Sequence, residues 1–448
     1  MNGRAVQRFC LALMACLALA TCSNNNSSTG VPVGQTGFVV LRLDGTTGAL
    51  DPAFGGSGTV VTDLDPGQFD FALAVALQPS DGKILSAGRT VFQGLNSIAL
   101  VRQNTNGALD GTFGTGGIVR TPIVGVSTGA SAIAVQGDGK ILVAAISFSQ
   151  GLLTTSITLV RYTSVGALDP AFATGGIVTT ASLGPGADSD TCGLALQPDG
   201  KIVVAGASSN GKISLYRYDA TGALDTAGFG TAGTGGVTVT DLAAPAMSPA
   251  IALQADNKIV LVGGKGSFSG TSSPVDEVVL RYNTDGQLDT TFGGTGIVTT
   301  DIDFKANFGN ALLIQPADQK IVTVGHANVN FSTDTSDISL VRYNTNGTLD
   351  VTFGPTQTVP GIVTTDLGGF DNAFSIALQA GKFIVAGNSG SGGLASVAVL
   401  RYNADGSLDS TFGTSGVVAP PPVGPSFISS GNGVVVQPGG NIVVAGYD

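Results

Sequence analysis

The sequence predicts an all-β fold, a β-propeller of seven four-stranded blades, on three observations. The chain of 448 residues carries 67 glycines, no tryptophan and 11% charged residues, against about 25% in ordinary soluble domains. Its apolar residues fall in short runs rich in Val, Ile and Thr, bounded by Gly, Asn, Asp and Pro, as strands and their turns require. From residue 37 onward one unit of about sixty residues recurs seven times, a period that belongs to repeat architectures.

The first 36 residues stand apart from the repeat. Arg4 and Arg8 precede an apolar run, Phe9 to Ala20, which is too short to span a membrane as a stable helix and reads as a secretory signal peptide. The stretch "LATC", Leu19 to Cys22, resembles the bacterial lipobox, although Thr21 stands where Gly, Ala or Ser is usual. A polar segment, "SNNNSSTGVPVGQTG", follows it and suits a flexible tether. Cleavage after "ALA", Ala18 to Ala20, is the competing ending, and "LMAC" at Leu13 to Cys16 a third. We favour lipidation at Cys22, because the apolar run ends and the tether begins there. This divides the chain into a signal peptide (1–21), a tether (22–36) and a propeller (37–448). It places the protein outside the cytoplasm, lipid-anchored at the cell envelope, or periplasmic or secreted if the ordinary cleavage operates.

Each repeat unit opens on an arginine: Arg42, Arg102, Arg161, Arg217, Arg281, Arg342 and Arg401. The motif G-x-L-D follows, ending at Asp51, Asp110, Asp169, Asp225, Asp289, Asp350 and Asp409. A phenylalanine comes next: Phe54, Phe113, Phe172, Phe229, Phe292, Phe353 and Phe412. Later comes a glutamine, at Gln78, Gln136, Gln197, Gln254, Gln315, Gln379 and Gln437. Six units then carry a lysine (Lys83, Lys140, Lys201, Lys258, Lys320, Lys382), where the seventh has Asn441.

Four β-runs fill each unit, as in "ISLVRY", "GIVTTDL", "SIALQ" and "KFIVAG" of the sixth copy. Four strands per unit, repeated, is the propeller pattern. A parallel solenoid is the competing repeat fold, but the hairpin-like Q-P-D-G-K turn favours antiparallel pairing. The phase matters too. "IALQPDGKIVVAG" reads as the two inner strands of a blade, "LVRYN" and "GIVTT" as the two outer ones. The chain starts with an outer pair and ends with an inner pair, so one blade must be shared between the termini, which closes the ring and removes free edges.

The units "LVRYNTNGTLDVTFG…GIVTTDL…IALQ…GKFIVAG" resemble the delta-60 repeat family, found in bacterial extracytoplasmic proteins, over essentially all of residues 37–448. The resemblance implies a β-propeller of largely unassigned function. Departures are local: the fourth copy reads "LDTAGFG", and the seventh reads "APPP" in place of "TTDL".

"RYNTDGQLDTTFG", Arg281 to Gly293, looks like a calcium loop, with Asn283, Asp285 and Asp289 as oxygen donors. Its first ligand position is Arg281, whose cation repels calcium, and the third copy has Val165 at the fifth position. The sequence therefore predicts turns, with calcium possible but disfavoured at Asp285 and Asp405, and no cofactor. Arg and Asp recurring in seven copies and Lys in six cannot share one active site, so structural pairing is expected of them, and Gln is expected to brace the hairpin. His326 is the single histidine; alone it cannot build a multi-His metal site. Cys192 reads as a small buried residue. No catalytic residue is assigned.

The turns of one propeller face repeat almost unchanged, whereas the connections of the other differ in length and content. Binding is expected on the variable face, through residues expected to be exposed: Phe69, Asp70, Asp188, Asp190, Asp303, Lys305, Phe308, His326, Phe331, Phe370, Asp371 and Phe427. Two function classes follow. One is a non-enzymatic, monomeric binding or scaffold propeller that recognises a protein or cell-surface ligand, with the membrane reached only by the lipid anchor. The other is a propeller enzyme, of lyase, lactonase or hydrolase type, with a site near the central channel; inner strands such as "LAVALQ" and "AIALQ" offer it no charge. With a net charge of −11 and a pI of about 4.4, nucleic acid is not expected as a partner, and the lack of tryptophan removes the usual sugar-stacking platform.

Overall fold

A computed structural model describes residues 37–447, apart from 93, 125, 150–153, 182–191, 208–210, 231–234, 245, 267–274, 303–305, 331–334, 355–358, 392–393 and 421–428. Every named element among the described residues is a strand. The first is β1 (Phe38–Leu43), followed by β2 (Thr59–Thr62). Next come β3 (Phe71–Leu77), β4 (Ile84–Phe92), β5 (Leu95–Gln103) and β6 (Ile118–Thr121). The third group is β7 (Ser127–Val135), β8 (Ile141–Ser149), β9 (Thr154–Tyr162) and β10 (Ile177–Ala181). The fourth is β11 (Gly193–Leu196), β12 (Ile202–Ala207), β13 (Lys212–Tyr218) and β14 (Val237–Asp241). Then follow β15 (Ala246–Leu253), β16 (Ile259–Lys265), β17 (Asp276–Tyr282) and β18 (Ile297–Thr300). The sixth group is β19 (Ala306–Ile314), β20 (Ile321–Asn330), β21 (Thr335–Tyr343) and β22 (Ile362–Thr365). The last are β23 (Phe370–Gln379), β24 (Lys382–Ser391), β25 (Leu394–Tyr402), β26 (Val417–Val418), β27 (Ser430–Val436) and β28 (Ile442–Tyr447).

Consecutive groups of four from β3 onward form antiparallel sheets in chain order. The groups β19–β22 and β23–β26 are joined by one parallel bridge, Ser336 to Phe370. The remaining sheet has the order β2-β1-β28-β27. In it the N-terminal β1 runs antiparallel to the C-terminal β28, from Phe38 opposite Tyr447 to Leu43 opposite Ile442.

The middle strands are buried on both faces, as β12 is along its whole length, because neighbouring sheets pack on either side of it. This is why "IVVAG" reads as an unbroken apolar run rather than an alternating one. The core lies between sheets. Val260, Val279 and Phe292 of one sheet meet Ile321, Val341 and Tyr343 of the next. Likewise Leu41, Leu43 and Val444 of the shared sheet meet Ile384, Val399 and Phe412, and its Phe38, Val40 and Val443 meet Ala72, Ile84 and Val101 on the other side.

Several innermost strands carry a register shift, as between Ala72 and Ala74, Gly309 and Ala311, and Gly431 and Gly433. Such bulges bend the strand and press its backbone onto the adjacent one. A Cβ at Gly88, Gly325, Gly387 or Gly446 would collide with the carbonyl of Phe71, Phe308, Asn372 or Ser430 respectively. At these four positions the glycine is therefore required by the close approach of the bulged strand.

Candidate functional site

The repeated ionisable residues form one cluster per copy. In the second copy the Arg102 Nε donates to Asp110 Oδ2 at 2.8 Å, and Nη2 lies 2.7 Å from the same oxygen. Lys83 Nζ approaches that oxygen to 2.9 Å. Arg102 Nη1 donates to the Gln78 side-chain oxygen at 3.1 Å and to the Ser164 carbonyl of the adjacent sheet. Its guanidinium stacks 4.5 Å over the Phe113 ring. The other Asp110 oxygen accepts the Thr112 N–H and hydroxyl. Burial works to raise the Asp110 carboxyl, but the Lys83 and Thr112 hydrogen bonds and the Arg102 charge outweigh it and hold the group well below the usual carboxylate range.

The same Arg–Asp pair forms in all seven copies, and each arginine stacks on its phenylalanine. Each also donates to a carbonyl of the following unit, at Thr105, Ser164, Ala220, Thr284, Thr345, Ala404 and, from Arg401, Gly45. Only arginine can serve this role, since a planar fork must bond a carboxylate and a carbonyl while lying flat on a ring. A carboxylate this saturated has no lone pair left for acid–base work. In the copy without lysine, Asn441 Nδ2 replaces it, 3.4 Å from Asp51 Oδ2.

The calcium-like turns use their acids internally. Asp285 Oδ1 accepts the Gln287 N–H at 2.9 Å, and Asp405 Oδ1 accepts the Ser407 N–H and hydroxyl at 2.9 and 2.7 Å. Asp289, the ninth position of the calcium-like loop, is the partner of Arg281. Among the described residues no three His, Cys, Asp or Glu side chains are grouped to hold a metal ion.

The binding candidates fall into two neighbourhoods. Phe308, His326 and Phe370 come together, with ring centroids 4.6 and 6.3 Å apart about the histidine; Asp371 is adjacent. Phe69 lies elsewhere, half-buried and stacked 6.3 Å from Phe71. Phe71 in turn meets Tyr447 and the Arg89 guanidinium. Asp188, Asp190, Asp303, Lys305, Phe331 and Phe427, and Cys22, lie outside the described residues.

The expectation of exposure needs correcting at four positions. Asp70 and Asp371 are fully buried, and Phe308 and His326 are 7% and 8% exposed. The two aspartates brace the loops that lead into their strands: Asp70 accepts the Leu64 N–H at 2.7 Å and Asp371 the Leu367 N–H at 2.6 Å. Burial pushes the Asp70 carboxyl up to about 6 and raises Asp371 in the same sense. Burial also pushes His326 down to about 3, so its ring is neutral. Asn310 Nδ2 lies 3.3 Å from His326 Nδ1 and donates to the Ala373 carbonyl of the next sheet at 2.9 Å. Cys192 is buried and its thiol pushed up to about 12, as suits a packing residue.

Two features were missed. Asn310 and Asn432 occupy bulges and donate across to the next sheet, Asn432 to the Ala72 carbonyl at 2.8 Å; bulge positions leave no mark in strand periodicity. Glu277 is a fully buried acid, discoverable by aligning the copies on their arginines.

A family model described as "Domain of unknown function (DUF5122) beta-propeller" matches residues 80–113, 136–172, 197–227, 254–292, 317–353 and 381–412. No curated protein matches the chain. Similar solved structures include the GH93 α-L-arabinofuranosidase of Fusarium graminearum with arabinobiose, at 10% identity and a TM-score of 0.47, covering 84% of this chain and 92% of that one. Another is Sqt1 from Chaetomium thermophilum, at 14% identity and 0.42, covering 85% and 97%. A polysaccharide lyase of family PL25, an ulvan lyase, matches at 8% identity and 0.41, covering 78% and 83%.

Proposed function

We propose that this chain, a β-propeller repeat protein, is a seven-bladed ring closed by its own termini that acts at the bacterial cell envelope as a non-enzymatic binding scaffold. It recognises a protein or cell-surface ligand through the connections that vary between copies. One observation carries this reading: in every copy the recurrent Arg and Asp are bonded to each other, and the Arg to the neighbouring unit. The repeat's charges thus serve the fold, and recognition is left to the other face. Closure is supported by the pairing of β1 with β28 and by the bonds from Arg401 to the Gly45 and Thr46 carbonyls.

Exchanging the tip of the β2–β3 connection, residues 65–69, for its counterpart from another copy tests the recognition face. Cross-linking capture from envelope fractions is expected to lose its partner while the melting temperature holds within a few degrees. Capture that survives this exchange and that of every other variable connection overturns the reading.

The anchor is proposed at Cys22, from the position of that residue at the end of the apolar run. Replacing Cys22 by alanine should move the protein from the membrane fraction to the soluble one. Unchanged fractionation, with no acyl mass on the wild-type N-terminus, would refute the anchor.

A further inference from the structure

Aligned on the arginine, the position four residues earlier is Phe38, Ile98, Ile157, Ile213, Ile338 and Val397 in six copies. All six are buried in the layers between sheets. In the remaining copy it is Glu277, on β17, and it is fully buried. Its Oε1 accepts the Thr323 hydroxyl of β20 at 2.8 Å and the Tyr343 hydroxyl of β21 at 2.8 Å. Among the described residues its Oε2 has no hydrogen-bond partner. No ion pair to Glu277 forms among the described residues.

Elsewhere the corresponding tyrosine is bonded to a threonine of the preceding sheet, as Tyr162 to Thr121, Tyr282 to Thr240 and Tyr402 to Thr365. Tyr343 keeps that bond, to Thr300 at 2.5 Å, and adds Glu277. This seam also carries the backbone bond from the Asn307 N–H to the Val275 carbonyl and the contact of Phe308 with Val275.

A carboxylate buried among Val262, Gly309 and two hydroxyls, with one oxygen bare, lacks the donors that ionisation demands. A proton on Oε2 removes the charge and leaves Oε1 free to accept both hydroxyls. We propose that Glu277, with Thr323 and Tyr343, is a proton-dependent latch on the seam between the sheets β15–β18 and β19–β22, closed when the acid is protonated and loosened when it ionises.

The groups facing it fit this role. Tyr343 is held well above the ordinary phenol range by burial and by the Glu277 charge, so it stays a neutral donor. The neighbouring Asp276 is raised by burial and by Asp301, with Lys265 opposing. Burial pushes Glu277 from its ordinary value of 4.5 up to about 7. A raised acid contributes stability that is complete below the unfolded value and lost as pH climbs through the folded one. The latch therefore weakens between about pH 4.5 and 7 and stays weak above.

Hydrogen exchange read by mass spectrometry, corrected for intrinsic rates, tests the latch on the full chain. In the wild type the opening equilibrium of segments 276–282 and 306–314 should rise on the order of 50-fold from pH 5 to pH 8. Segment 212–218, where Ile213 holds the equivalent place, should not follow. Glu277→Gln, a neutral isostere, and Glu277→Ile, which restores the residue type of the other copies, should each flatten the response at this seam. A flat wild-type profile, or an undiminished pH response in either variant, overturns the latch.

Discussion

Replacing Arg102 by alanine should destabilise the protein by about 3–5 kcal/mol, the cost of leaving one member of a buried ion pair behind. Asp110, 4% exposed, would keep only Lys83 as a charged partner. The Ser164 carbonyl and the Gln78 side-chain oxygen would lose the Arg102 donor, and Phe113 its stacked cation. Arg102→Lys should rescue little, because an ammonium cannot bond a carboxylate and a carbonyl together while stacking on the ring. Lys83→Ala provides the contrast. The Lys83 side chain is 24% exposed, so its loss should cost about 1 kcal/mol or less. Equilibrium denaturant unfolding at pH 7 measures all three. Equal small losses for Arg102→Ala and Lys83→Ala would mean that the recurrent arginine is not structural.

The architecture was largely legible in the sequence because a repeat states its own requirements. The G-x-L-D turn and the stacked phenylalanine each recur with a physical reason that the structure supplies. The strand phase was readable for the same cause: an unpaired outer pair at one end and an inner pair at the other leave one natural pairing, and β1 does lie against β28. The candidate site was less legible. Asp70 and Asp371 sit in polar, variable segments, and polarity alone suggested exposure. Their carboxylates instead cap backbone N–H groups of their own loops, a local demand that composition does not report. Phe308 and His326 lie opposite each other on β19 and β20 and bury their rings against one another, 4.6 Å apart.

Glu277 shows the converse. Its neighbours in sequence give no warning of burial, and "VDEVVL" reads as an ordinary strand entry. Only comparison with Ile98, Ile157, Ile213 and Ile338 reveals a charge-bearing residue in an apolar register. A repeat protein offers this comparison within one chain, and the position where a single copy departs from a buried consensus is where physics is being used for something other than the fold.

Arg401 tests the central claim most directly, that the recurrent cluster is the joint of a closed ring. Its guanidinium pairs with Asp409 and reaches across to the Gly45 and Thr46 carbonyls near the start of the propeller. In a closed ring every joint is interior. In an open array the terminal joint has no following unit to hold and its unit frays independently. Denaturant unfolding of Arg401→Ala should therefore show the same loss as Arg102→Ala, about 3–5 kcal/mol, in one transition shared by the whole chain. A loss below about 1 kcal/mol, or a separate early transition confined to the terminal strands, would contradict the closed ring.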